Sequence, residues 1–314
     1  IDREDKIKIK KSNLIRVGGI TFVIPFLSLI GIQILFPNSI SNSILDNLHL
    51  KIIFFGGIIA YLVGVIDDVL NLNAYLRLIS QLILGGLTWL FGIRIENIQI
   101  DILFYNFNFD LPIFCSLIIS IIWVAGIINA INWMDGLDGL AASFTFTAGV
   151  AFILISSNFN TNSVLLSSSA IAGTCLGFLK FNRNPARILM GDGGSYFLGY
   201  ILSLLAILSC FYRSNSLGIE TDLYTLLTPM LILFVPLFDM FFVICFRLRK
   251  GLSPFRGDNN HFHHRLIRMG YNEKVSVKII ISLSIILSSL ALLIDKKFIE
   301  SFFFISSIYA VWKI

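Results

Sequence analysis

Long apolar runs separated by short polar stretches dominate the chain. A bilayer core about 30 Å thick takes about 20 apolar residues in a helix. Ten windows meet or approach that length: roughly 17–36, 50–66, 76–92, 111–128, 140–157, 163–179, 195–211, 224–246, 276–294 and 298–314. Each must close its own backbone hydrogen bonds in lipid, which makes these windows helices. A lipid-facing β-barrel would show alternating segments of about ten residues, and the unbroken runs exclude it. The pattern predicts an all-α, polytopic membrane protein with about ten transmembrane helices. No repeat of 20–50 residues and no linker divides residues 1–314, which predicts a single domain. Only residues 93–110 (IRIENIQIDILFYNFNFD) alternate polar and apolar positions, which predicts a short hairpin on the outer side.

Lys and Arg orient the spans. With the N-terminus inside, nineteen basic residues fall in inner segments and five (Lys51, Arg94, Arg213, Lys296 and Lys297) in outer ones. The basic loops are therefore expected at the cytoplasmic face of the cell membrane. Composition agrees: 56% of residues are hydrophobic and 14% charged, against about 25% charged in a soluble domain. The net charge of +5 belongs to topology and to anionic headgroups or phosphates, so no nucleic-acid partner is expected. Cys115, Cys175, Cys210 and Cys245 all sit in apolar runs and read as small hydrophobes. His49 stands alone in an outer loop and is assigned no role.

The acidic residues change the picture, because they gather toward one face. Asp67 and Asp68 end the second window, Asp135 and Asp138 follow the fourth, Asp192 precedes the seventh, and Asp239 lies within the eighth. Carboxylates crowded at membrane depth repel one another and are costly to desolvate unless a cation joins them. Oxygen donors favour Mg²⁺ or Mn²⁺ over zinc, and Mg²⁺ completes its octahedron with waters and substrate phosphates.

Three stretches carry candidate chemistry. In NAINWMDGLDGL, Asn129, Asn132, Asp135 and Asp138 recur every three residues, which on a helix would set them on one face; the alternative is a capped turn between two helices. MGDGGS (residues 190–195) reads as a glycine-rich helix entry starting at Ser195, whose free N–H groups favour an anion. HFHH (His261, His263 and His264) sits in the most basic loop, RLRKGLSPFRGDNNHFHHRLIRMG, where His and Arg side chains would neutralise a diphosphate. A patch for lipid headgroups is the competing reading of that loop.

GVIDDVLNLNAYLRLISQ, NAINWMDGLDGLAAS, FNRNPARILMGDGGSYFLG and RKGLSPFRGDNNHFHHRL, in this order, resemble the polyprenyl-phosphate N-acetylhexosamine-1-phosphate transferases. These bacterial membrane enzymes move a sugar-1-phosphate from a UDP-sugar to undecaprenyl phosphate. The SPFxxDxxHxHH form looks like the GlcNAc branch more than the UDP-MurNAc-pentapeptide branch. The resemblance implies that Asp67 and Asp68 handle the acceptor phosphate. It makes Asp192 the main Mg²⁺ ligand with Asn132 beside it, and places Asn132 and Asp135 in the donor and metal site with Asp138 in support. His261, His263 and His264 would contact the diphosphate. Asn129, Asn182, Arg187 and Arg256, in or beside the same motifs, complete the substrate-binding candidates. Two positions depart from the family: Leu189 stands before MGD where Phe is frequent, and Lys10 stands where a His is usual. The family's first cytoplasmic loop ordinarily follows one more helix, so a chain beginning with Ile1 in that loop is expected to lack the first of eleven spans.

The expected reaction is Mg²⁺-dependent transfer of GlcNAc-1-phosphate from a UDP-N-acetylhexosamine to polyprenyl phosphate, releasing UMP and starting a lipid-linked envelope glycan. The residues leave a covalent aspartyl-phosphate route open, but direct attack is simpler because a phosphate acceptor needs little activation. The rival outside enzymology is a transporter, which should place its ionisable residues near the midplane within internal repeats. A homodimer is compatible with the sequence.

Overall fold

The computed structural model describes residues 18–36, 44–102, 105–156, 162–217, 223–254, 259–294 and 304–305. Eleven helices and one hairpin are defined there: α1 (Ile20–Leu35), α2 (Ile44–Leu70), α3 (Ala74–Leu90), β1 (Asn97–Ile102), β2 (Tyr105–Asp110), α4 (Ile113–Met134), α5 (Leu140–Ser156), α6 (Asn162–Asn182), α7 (Gly191–Leu217), α8 (Leu223–Ile232), α9 (Phe234–Arg249), α10 (Phe262–Arg268) and α11 (Glu273–Ile294). α2, α4, α6, α7 and α11 are long and apolar enough to cross a membrane, while α1, α3 and α5 are shorter apolar helices. The protein is a multi-pass membrane protein, as the apolar windows predict. The tenth window, 298–314, lies outside the described residues except for 304–305.

α7 is the axis of the bundle. Its side chains from Tyr196 to Leu208 are buried almost without interruption, and α2 and α4 pack along it. Apolar burial cannot hold helices together where lipid is as apolar as leucine, so close backbone approach and interhelical hydrogen bonds carry more of the load. At Gly64 of α2, a Cβ would come within 2.4 Å of the Asp192 carbonyl oxygen, so only glycine lets α2 meet the start of α7. Tyr200 and Thr88 share a buried hydrogen bond of 3.1 Å between α7 and α3, and Trp89 Nε1 donates to Ser116 at 2.9 Å between α3 and α4. Bonds of this kind contribute about 0.6 kcal/mol each on average within membranes.

The eighth apolar window is two helices, α8 and α9, separated at Leu233. Pro236 explains the break, because it has no N–H for the Ile232 carbonyl and its ring crowds that group. In the first turn of α9 the missing donor costs nothing. The alternating stretch forms the expected hairpin, with antiparallel pairs running from Asn97↔Asp110 to Ile102↔Tyr105. Its base is closed by Leu111 N to Glu96 O at 2.9 Å and is tied to α4 by Ile95 N donating to Ser120 Oγ at 2.9 Å.

The structure corrects three local expectations. His49 is not in a loop: α2 begins at Ile44, and the ring is buried, with Nδ1 2.7 Å from the Tyr212 hydroxyl. The helix after MGD starts at Gly191 rather than Ser195, which puts Asp192 in its first turn. The four-residue polar ladder ends early, because α4 stops at Met134 and Asp135 serves as its C-terminal cap. Gly139 at φ +76° turns the chain into α5, so Asp135 and Asp138 occupy the capped turn.

Candidate active site

The motif-bearing ends of α2, α4 and α7 converge. Asp67 is 3% exposed and fully engaged. One oxygen accepts from Leu72 N at 3.0 Å, and the other accepts from the Tyr196 hydroxyl at 2.7 Å with Arg77 at 3.7 Å. Its neighbour Asp68 is half-buried and accepts from Gly193 N at 3.1 Å, in the first turn of α7. A carboxylate at a helix N-terminus gains from the free N–H groups there. On α4, the Asn132 amide donates to Asp192 Oδ1 at 2.8 Å and to Ser195 Oγ at 2.9 Å. Asp68, Asp67 and Arg77 all act on Asp192 through space. Asp67, Asp68, Asn132 and Asp192, from three segments far apart in sequence, thus share one site.

The remaining candidates surround it. Asn129 lies a turn deeper, where its amide donates to Gln81 of α3 and to Ala125 O. Asp138 accepts from Asn184 Nδ2 at 3.2 Å and from Ala186 N at 3.0 Å. Asn184 also donates to Glu273 at the start of α11, at 2.6 Å. Asn182 is 2% exposed, and both ends of its amide are committed: Oδ1 accepts from Gly139 N at 3.0 Å and Nδ2 donates to Ile188 O at 2.8 Å. Asp138 and Asn182 therefore clamp the turn after α4 to the loop before α7. Arg187 is exposed on that loop. Backbone bonds from Gly18 to Leu189 O and from Gly19 to Met190 O, 2.9 and 3.0 Å, bring the start of α1 to the same segment. Arg256 lies outside the described residues.

The histidine segment closes over the turn. The His263 ring lies against Gly136, where a Cβ would meet Nε2 at 2.2 Å, so no other residue fits between Asp135 and Leu137 without displacing it. His261 and His263 stack nearly parallel, 5.7 Å apart, and His263 and His264 are 4.3 Å apart. Asp239 differs from its expected place among the converging acids: it bonds to His261 at 2.9 Å. Trp133 lies 5.3 Å from the His261 ring and 5.0 Å from the buried Arg247 guanidinium.

Tyr196, Gln81, Trp133 and Arg247 escape a reading by motif. Each lies within or beside a recognised stretch, but apolar context and charge counting assign them to packing and topology. The signal that could have found Arg247 and Trp133 is their shared position at the inner ends of two windows.

A divalent cation asks for hard oxygen donors, and a half-buried aspartate with an asparagine amide and a second aspartate close by supplies them. Among the described residues, no group of three or more His, Cys, Asp or Glu side chains is arranged to hold a metal. Asp192 with the Asn132 amide and Asp68 nearby is a donor set of the size a hard divalent cation takes when waters and substrate oxygens complete its shell.

A model described as Glycosyl transferase family 4 matches residues 50–210. The chain is 29% identical over 295 residues to the probable undecaprenyl-phosphate N-acetylglucosaminyl 1-phosphate transferase of Bacillus subtilis (strain 168), spanning 94% of this chain and 77% of that one. It is 28% identical over 277 residues to a decaprenyl-phosphate N-acetylglucosaminephosphotransferase of Mycobacterium leprae, spanning 84% and 69%. A phospho-N-acetylmuramoyl-pentapeptide-transferase of Clostridium beijerinckii is 31% identical over 288 residues, spanning 88% and 81%.

Proposed function

The chain belongs to glycosyl transferase family 4 and is a sugar-phosphate transferase, and from that premise we propose that it moves GlcNAc-1-phosphate from UDP-GlcNAc to a polyprenyl phosphate, with Mg²⁺, at the cytoplasmic membrane face. The observation that carries the reading is the meeting of Asp68, Asn132 and Asp192 at one end of α2, α4 and α7. Support for the sugar comes from the names of the Bacillus and Mycobacterium relatives. The Clostridium relative keeps the MurNAc-pentapeptide donor as the alternative.

In this reaction an oxygen of the lipid phosphate attacks the phosphorus next to the sugar. The bond from that phosphorus to the bridging oxygen breaks, its electron pair leaves on UMP, and a lipid-linked diphosphate sugar remains. Asp192 with Asn132 would hold the cation, which when bound supplies a Lewis acid beside the diphosphate. The two aspartates of α2 divide their work. Asp67 is occupied on both oxygens and fixes Leu72, Tyr196 and Arg77. The half-buried Asp68 is the better placed to take the acceptor's last proton. His261, His263 and His264, with Arg187 on the neighbouring loop, would meet the diphosphate and offset the charge that develops on the leaving group; Arg256 remains a candidate for the same work from its place in the motif alone. Asp135 sits beside the donor, while Asp138, Asn182 and Asn129 keep the loops and α4 in place.

The test is UMP release by purified protein given Mg²⁺, UDP-GlcNAc and undecaprenyl phosphate. Turnover only with UDP-MurNAc-pentapeptide would move the chain to the other donor, and turnover with neither would end the reading. For the orientation, a cysteine at Asn259 should resist an impermeant thiol reagent in intact cells; rapid labelling there would reverse it.

A further inference from the structure

We propose that Asp239 is a positioning residue for the transfer, acting through His261: it keeps a proton on Nδ1, so that a second proton on Nε2 makes the ring a charged donor to the diphosphate. This rests on the functional reading above. Asp239 lies within α9, and its side chain and that of His261 are 14% and 9% exposed. Oδ2 stands 2.9 Å from His261 Nδ1, and Oδ1 accepts from Phe262 N at 2.7 Å. One carboxylate thus grips both the ring and the first turn of α10, which would otherwise start without a side-chain cap. Nε2 is left as the ring nitrogen for a ligand.

The placement of that ring gives the grip its consequence. His261 meets Trp133 edge to face, and Trp133 follows Asn132, which bonds Asp192. Asp239 therefore seats the histidine segment against the end of α4 that carries Asn132. The other charged or titratable groups around the ring are His263 and His264 on α10 and Arg247, whose guanidinium lies over the Trp133 ring. None of these takes the place of Asp239 on Nδ1.

Donor and acceptor logic makes Asp239→Asn a sharp probe. The Phe262 N–H can only donate, so it claims the single oxygen of the new amide. The NH₂ group is then left facing Nδ1, which must be bare, and the ring becomes a neutral Nε2–H tautomer. Shape and the number of hydrogen bonds survive, while the charged donor is lost. Where a carboxylate orients a metal-bound histidine its loss costs about 10- to 100-fold in activity, and a loss of that order is expected for a histidine oriented toward a diphosphate.

The experiment measures UMP release from UDP-GlcNAc for the parent, Asp239→Asn, His261→Gln and the double variant, with ¹⁵N NMR of histidine-labelled protein. Expected is a drop in kcat of about 10- to 100-fold with KM little changed. The double variant should be no slower than the slower single one, and in Asp239→Asn the His261 Nδ1 should lose its proton while Nε2 carries one. If the two single losses multiply in the double variant, Asp239 acts independently and the proposal fails. Unchanged His261 resonances in Asp239→Asn sink it as well. A parent that releases no UMP overturns the functional reading and this proposal together, which distinguishes that failure from one confined to Asp239.

Discussion

Helices α2 and α7 carry an aspartate–tyrosine hydrogen bond at each end. Tyr196 donates to Asp67 at 2.7 Å at the motif-bearing end, and Tyr212 donates to Asp46 at 2.7 Å at the far end. Along α2, Asp46 and Asp67 stand roughly 30 Å apart, about one bilayer core. The surroundings differ. At the far end, Asp46 Oδ1 also accepts from Ser163 at 2.9 Å, His49 bonds the tyrosine, and all four residues are no more than 7% exposed. At the motif-bearing end, Asp68, Asn132 and Asp192 are only half-buried. The far cluster spends its polarity on itself, as a buried network must, and the near one holds polarity in reserve for a ligand. Ionisable residues within spans thus have two uses here, and accessibility separates them.

The largest effect that could break this comparison is on turnover at the near end. Asp192→Asn keeps size and hydrogen bonding but removes the charge proposed to hold Mg²⁺. Losing a Lewis-acid contact of several kcal/mol should lower UMP release by roughly a thousandfold, with the melting temperature unchanged. Titrating Mg²⁺ checks the cause: a variant with the parent's Mg²⁺ response would remove Asp192 from the metal site. Asp68→Asn comes next, with a loss of about a hundredfold at pH 6. A phosphate monoester gives up its second proton near pH 6, so rising pH supplies the ionised acceptor unaided. The deficit should therefore shrink toward pH 8.5, at an unchanged Mg²⁺ response. A deficit constant across pH would mean that Asp68 is not the proton acceptor.

Much of this architecture is legible in the sequence, because lipid leaves few options to the backbone. Apolar runs locate the helices, alternation locates the hairpin, and the motifs bring Asp67, Asp68, Asn132 and Asp192 to one end. What the pattern does not carry is partner choice. The spacing of Asn129, Asn132, Asp135 and Asp138 looks like one polar stripe, yet the helix ends at Met134 and the four side chains serve different contacts. His49 looks like a loop residue because Asp46, Asn47 and His49 are polar, but the helix tolerates Asp46 and His49 where the Tyr212 and Ser163 hydroxyls hydrogen-bond them. Asp239 looks like one more acid of the cluster, and only tertiary packing shows that its partner is His261. Periodicity reports which face is wet; it does not report who waits on the other side.

At the far end the expected effects are smaller and fall on stability. Asp46→Ala would leave the Tyr212 and Ser163 hydroxyls without their shared acceptor, at about 1–3 kcal/mol for each buried group left unsatisfied. The apparent melting temperature in detergent should drop by several degrees, while kcat per folded enzyme stays at the parent's value. A kcat loss comparable to that of Asp68→Asn would show that the two ends communicate and that the far cluster is more than a fastening.

The smallest effect is the sharpest test, because it compares the two bonds atom for atom. Tyr196→Phe and Tyr212→Phe each delete one hydroxyl from the same helix, and each takes a 2.7 Å donor from an aspartate on the same neighbour. Hydrogen bonds to charged groups are worth about 1.5–3 kcal/mol in soluble proteins and about 0.6 kcal/mol on average between membrane helices. The Tyr212 hydroxyl also holds the buried His49 ring at 2.7 Å, so Tyr212→Phe should melt a few degrees below Tyr196→Phe, and both below the parent. Turnover should tell them apart. Without Tyr196, Asp67 keeps only Leu72 N–H and the more distant Arg77, and the end of α2 that carries Asp68 loses a constraint. A misplacement of a fraction of an ångström there should slow UMP release by several-fold to tenfold, with KM for the lipid acceptor rising more than KM for the UDP-sugar. Tyr212→Phe should leave both constants unchanged, because the groups it disturbs touch no substrate. Equal kinetic losses in the pair would erase the distinction between a closed polar cluster and an open one. The larger stability loss in Tyr212→Phe with the larger kinetic loss in Tyr196→Phe would confirm that one bond chemistry serves as fastening at one end and as alignment at the other.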